Sequence, residues 1–100
     1  MLSSKARAAL RAEAHHLQVM VHIGHQGATD ALRQSLDDAL RTRELVKVQF
    51  SRNEDTKVKA AANELARAAG ADVVQVIGRT ATLYRENPEL KERERKSDRN

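Results

Sequence analysis

The sequence predicts an open α/β layer: one small domain in which helices cover a four-stranded mixed sheet. Three observations carry that expectation. Amphipathic helical periods at residues 4–16, 30–43 and 56–69 alternate with β-branched runs at 17–23, 44–50 and 72–77, and a last strand follows at 81–85. No internal repeat or low-complexity tract breaks this αβαβαββ order. A chain of 100 residues is also the size of a single domain, able to bury roughly 60–65% of its unfolded surface.

The first helix can be capped by Ser3 or Ser4, and Ala6, Ala9, Leu10, Ala14 and Leu17 recur near the helical period. Lys5, Arg7 and Arg11 fall off that shallow stripe, toward solvent or a partner. In the strand that follows, alternation places Leu17, Val19, Val21 and Ile23 on one side and Gln18, Met20 and His22 on the other. Then comes Gly24-His25-Gln26-Gly27, with Ala28 and Thr29 leading into the second helix. A strand, a glycine-bounded loop and a helix start together offer backbone N–H groups and a positive helix end to an anion such as phosphate. The same GxxG spacing arises easily by chance, and its glycines equally suit a tight turn.

The second helix has Thr29 as its N-cap, Asp30 in its positive first turn and Arg41 and Arg43 at its C-terminal end. Leu32, Leu36, Ala39 and Leu40 form the clearest apolar stripe of the chain. Across 44–50, Val46, Val48 and Phe50 make an apolar face, while Leu45, Lys47 and Gln49 make a mixed one, which fits a half-buried strand. The third helix carries Val58, Ala61, Ala62, Leu65, Ala66 and Ala69, with Gly70 where a left-handed cap belongs. Lys57 and Lys59 lie near its start, where the helix dipole disfavours cations. Gly78-Arg79-Thr80 then joins the last two strands and sets Arg79 at the turn tip. Pro88 closes the folded part and the chain beyond it is almost wholly charged, so residues 1–86 are expected to form the domain and 87–100 a flexible tail.

Composition narrows the function. Eighteen Lys and Arg against fourteen Asp and Glu give a net charge of +4, which favours a polyanionic partner. Cysteine is absent, so neither a disulfide framework nor a thiolate zinc site is available. The charge-broken N-terminus has no secretory leader pattern, and no apolar run approaches the ~18 residues of a membrane span. A cytoplasmic protein with no membrane partner is the expectation. Phe50 and Tyr84 are the only aromatic residues, and both lie inside strand patterns. Base-stacking modules need exposed rings, so RNA contact here would run through backbone, charge and shape.

Catalytic readings find little support. His15, His16, His22 and His25 cluster in sequence, but no nearby carboxylate or thiolate completes an evident metal ligand set. Asp37 and Asp38 sit about 100° apart on a helix, a poor acid/base pair. No Walker, HExxH or nucleophile-elbow spacing occurs, and Gly24-x-x-Gly27 lacks the third glycine of a dinucleotide fingerprint. The expectation is a non-enzyme without cofactor, metal or small-molecule substrate.

The motifs together resemble the CRM domain (chloroplast RNA splicing and ribosome maturation), and specifically its bacterial stand-alone YhbY-like branch. The matching residues are Leu2-Ser3-Ser4-Lys5, Leu10-Arg11, Ala14-His15, Ile23-Gly24, Gly27-x-Thr29, Ala39-Leu40, Glu44-Leu45-Val46-Lys47-Val48, Gly70-Ala71, Val74-Gln75-Val76-Ile77-Gly78 and Leu83-Tyr84-Arg85. The chain departs from the pattern at Val19, where the family usually has proline, and at Ala28, where it has leucine. The resemblance implies a fold similar to the C-terminal domain of translation initiation factor 3. It also implies RNA binding and association with precursors of the large ribosomal subunit, by a protein expected to be monomeric. On it, Gly24, His25, Gln26 and Gly27 become the leading RNA contacts, with Lys5, Arg11, Lys47 and Arg79 as accompanying basic positions. The alternative is a protein-interaction module of ribosomal particles that uses its exposed sheet or tail and touches RNA incidentally.

Overall fold

The computed structural model describes residues 2–24, 29–51 and 55–89, with no side-chain account of residues 55 and 56. Seven elements follow in the predicted order: α1 (Ser4–Ala14), β1 (Val19–Ile23), α2 (Asp30–Arg43), β2 (Leu45–Phe50), α3 (Asp55–Ala69), β3 (Asp72–Ile77) and β4 (Thr80–Tyr84). The strands form one sheet in the order β1-β2-β4-β3. β1 pairs parallel with β2, while β4 runs antiparallel to both β2 and β3. It follows that β1, β2 and β3 all point the same way, and their carboxyl ends share one end of the sheet.

α2 and α3 cover one face. Their stripes, including Leu36, Leu40, Val58, Ala62 and Leu65, close over Val21, Ile23, Val46, Val48, Phe50, Ala81 and Leu83 in the main core. α1 lies on the opposite face, where Leu10 and Ala14 pack with Leu17, Leu45, Val74 and Tyr84 in a second, smaller cluster. The caps follow the sequence: the Ser3 hydroxyl accepts from the Ala6 amide at 3.1 Å, and that of Thr29 from the Leu32 amide at 3.3 Å. α3 ends at Gly70 (φ +68°), where the Ala71 amide donates to the Ala66 carbonyl at 2.7 Å.

Three expectations are corrected. The first helix ends at Ala14 rather than at residue 16. The strict alternation over 17–23 fails because a bulge lies between Val19 and Val21. Met20 therefore joins Val21 and Ile23 against the main core, Leu17 packs into the α1 cluster, and Val19 pairs with Lys47. Leu45, assigned by pattern to a mixed face, is only 6% exposed because α1 covers that end of β2.

Two contacts fix the frame of the sheet. On edge strand β3, the Arg7 guanidinium donates to the carbonyls of Val73 and Val74 at 2.7 and 3.4 Å. Those carbonyls sit at the β3 bulge, where the edge would otherwise offer itself for pairing. At the amino end of β2, Glu44 adopts φ +63°, an unfavourable conformation for a side-chain-bearing residue. It is held there from both sides: its amide donates to Leu40 O, its carbonyl accepts from the Arg85 amide, and its carboxylate accepts from the Asn87 amide.

Candidate nucleic-acid interface

The parallel arrangement of β1, β2 and β3 decides where the site lies. The chain leaves β1 at Gly24, β2 at Ser51 and β3 at Gly78-Arg79, all at one end of the sheet. Two hydrogen bonds draw these exits together. The Ser51 amide donates to Ile23 O at 2.9 Å, and the Phe50 amide donates to Arg79 O at 2.8 Å. His22, Gly24, Gln49, Ser51 and Arg79 consequently line one shallow pocket there. The crevice outside the carboxyl ends of parallel strands is the general place for ligands in open α/β sheets. α2 and α3 also begin at this end, presenting their positive N-termini, which Asp30 tempers in α2.

Gly78 begins the β3–β4 turn with φ +58°, and Ile77 pairs with Thr80 across it. A glycine with positive φ at the first central position is the type II′ pattern, which leaves Arg79 exposed at the tip. Gly24 is different. Its φ is not positive, and a Cβ built on it would meet nothing within 4 Å among the described residues. Gly24 is exposed there.

Beyond the end that α1 covers, the sheet face on the α1 side is polar on β1, β2 and β4 and apolar at Ile77 on β3. Register aligns His22 with Gln49, Gln49 with Thr80, and Thr80 with Ile77, so these four side chains form a row across all four strands on one face. His22, Gln49 and Ile77 are exposed, Ile77 at 62%. One step lower on the same face, Lys47 pairs with Thr82 and Thr82 with Gln75. Thr82 is buried, Lys47 and Gln75 half-buried.

Of the residues singled out from sequence, the structure brings Gly24 and Arg79 to one pocket. Lys47 lies two residues along β2 from Gln49, on the open face. Lys5 and Arg11 are exposed on α1, toward the opposite end of that face. His25, Gln26 and Gly27 lie outside the described residues. His22, Gln49 and Thr80 were not among the RNA contacts expected from sequence. Their signal was present as the polar positions of alternating strands, but only strand order shows that they line up.

Both sides of the sheet carry cations. On the α1 side lie Lys5, Arg7, Arg11, Lys47 and the tip residue Arg79, with Glu13 on α1 and Asp72 on β3 among the acids. On the other side, Arg33, Arg41 and Arg43 of α2 stand beside Asp30, Asp37 and Asp38, with Arg41 and Asp38 paired at 2.7 Å, and α3 adds Lys57, Lys59 and Arg67 against Glu64. Among the described residues, no three His, Cys, Asp or Glu side chains come together as a metal site. No helix of the described residues is long and apolar enough to cross a membrane.

The family model described as the CRS1 / YhbY (CRM) domain matches residues 2–85. The Bacillus subtilis protein named "Probable RNA-binding protein YqeI" is 35% identical over 92 residues, which cover 92% of this chain and 96% of that protein. A Haemophilus influenzae protein named "RNA-binding protein" is 33% identical, covering 90% of this chain and 91% of the relative. The solution structure of the Staphylococcus aureus protein SAV1595 superposes with a TM-score of 0.78 at 36% identity, over 87% of this chain and 91% of that one.

Proposed function

The chain belongs to the CRS1 / YhbY (CRM) family, and from that footing we propose that it is a non-catalytic protein that binds ribosomal RNA in precursors of the large subunit during assembly. RNA binding is supported by the names of its relatives and by the exposed cations Lys5, Arg11 and Arg79 of the α1 side. The large-subunit assignment rests on the resemblance of the chain's motifs to the family. The contacts are Gly24 at the end of β1 with Arg79 in the same pocket, then His25, Gln26 and Gly27, and Lys47, Lys5 and Arg11 along the α1 side.

Gly24 carries this reading most directly: an exposed glycine, without positive φ, at the pocket it shares with Arg79. Gly24→Ala is expected to leave the melting temperature unchanged or slightly raised, because alanine restricts the unfolded chain. The same methyl group should weaken binding to ribosomal RNA by about tenfold, the equivalent of one hydrogen bond. Fluorescence anisotropy with a labelled rRNA fragment, paired with thermal unfolding, separates the two effects. Unchanged affinity would remove the loop from the interface. Sedimentation of the wild-type chain with large-subunit precursors, but not with mature particles, is the expected behaviour in extracts, and the reverse would contradict the assembly role.

A further inference from the structure

We propose that the ligand of the open sheet face is double-stranded RNA, held by its sugar–phosphate backbone and 2′-hydroxyls rather than by stacked bases. The inference rests on the RNA-binding reading and names the form of RNA that this face fits. Four observations carry it.

The first is shape. The row His22–Gln49–Thr80–Ile77 crosses the sheet in one register line, and four strands at their usual separation make a platform about 14 Å across. A-form RNA offers a wide, shallow minor groove to such a surface, whereas its major groove is too deep and narrow for side chains. The second is the lack of stacking groups. Phe50 is 3% exposed in the main core, and Tyr84 packs against the α1 cluster. His22 is the one ring on the row, while modules that hold single strands use successive aromatic faces.

The third is hydrogen-bonding character. The Gln49 amide and the Thr80 hydroxyl each donate and accept, as does the 2′-hydroxyl that distinguishes RNA from DNA. The fourth is the placement of charge. Arg79 stands at the carboxyl end of the strands, Lys47 lies one step behind the row, and Lys5 and Arg11 lie on α1 toward the far end. Cations thus flank the His22–Gln49–Thr80 part of the row, with the apolar Ile77 at its β3 end, complementary to a groove bordered by phosphates on both sides and lined by 2′-hydroxyls.

The test uses the full chain and four labelled probes at one salt concentration: an RNA duplex of about 20 base pairs, long enough for a groove-spanning contact, each of its separated strands, and the matching DNA duplex. The expected result is at least about tenfold tighter binding of the RNA duplex than of either strand or of duplex DNA. Gln49→Ala, an exposed change, is expected to reduce duplex RNA binding about fivefold while leaving the weaker single-strand binding unaltered. Equal or tighter binding of the single strands would overturn the inference and leave the RNA-binding reading standing. Equal binding of duplex DNA would overturn the 2′-hydroxyl contact. Failure to bind any RNA probe would overturn both, and circular dichroism of the Gln49 variant shows that its fold is intact.

Discussion

Reversing three charges on the α1 side, with Arg11→Glu, Lys47→Glu and Arg79→Glu in one chain, is expected to lower RNA affinity by about two to three orders of magnitude near 0.1 M salt. Removing one phosphate contact also flattens the dependence of log affinity on log salt by about one unit. The slope should therefore fall as well as the affinity. The control is a triple variant with the same net charge change on the other side of the sheet: Arg33→Glu, Arg43→Glu and Arg67→Glu. These residues are exposed on α2 and α3, on the side of the sheet opposite α1. Long-range repulsion alone should cost this control less than about tenfold, because ions screen beyond roughly 8–10 Å. Equal weakening in the two triple variants would mean that net charge, not this face, draws the RNA.

The second large effect concerns stability. Arg85→Ala is expected to destabilise the domain by about 2–4 kcal/mol, since hydrogen bonds from a charged group carry about 1.5–3 kcal/mol each and are not additive. One guanidinium nitrogen donates to Asp37 Oδ1 and to Ala69 O, both at 2.8 Å, and the other donates to Asp37 O at 3.1 Å. Arg85 thus ties the end of β4 to α2 and to the last turn of α3, where the terminal carbonyls lack helical partners. Its side chain is 23% exposed, so the loss is not fully screened by water. Lysine has no planar fork, and Arg85→Lys should recover less than half of the loss. Urea unfolding measures the effect, and RNA affinity of the folded fraction should remain at the wild-type value. A drop in affinity without a drop in stability would move Arg85 from the frame to the interface.

Local patterns explain why the element order was legible. The Leu32–Leu36–Leu40 stripe, the Val46–Val48–Phe50 alternation and the caps at Ser3 and Thr29 each act within a few residues. The β1 bulge was not legible, because Val19, Met20 and Val21 are all apolar and either side of the sheet accepts them. The mixed pattern of Leu45, Lys47 and Gln49 hides the burial of Leu45, which depends on α1, more than thirty positions earlier. The site was legible in parts. Gly24 and Arg79 could be named singly, but their meeting depends on β4 lying between β2 and β3. Arg85 matched a motif whose contact with Asp37 spans 48 positions of sequence, beyond the reach of any local pattern.

If RNA meets the sheet at the carboxyl ends of β1, β2 and β3 and along the α1 side, the amides there must sense it. Amide chemical-shift mapping on isotope-labelled protein titrated with an rRNA fragment reads this position by position. The largest shifts are expected at Ile23, Gly24, Gln49, Ser51, Arg79 and Thr80, with Ser35, Arg43, Asn63 and Arg67 on the outer surfaces of α2 and α3 unmoved. Shifts concentrated on α2 and α3, with the Gly24–Arg79 pocket silent, would contradict that placement.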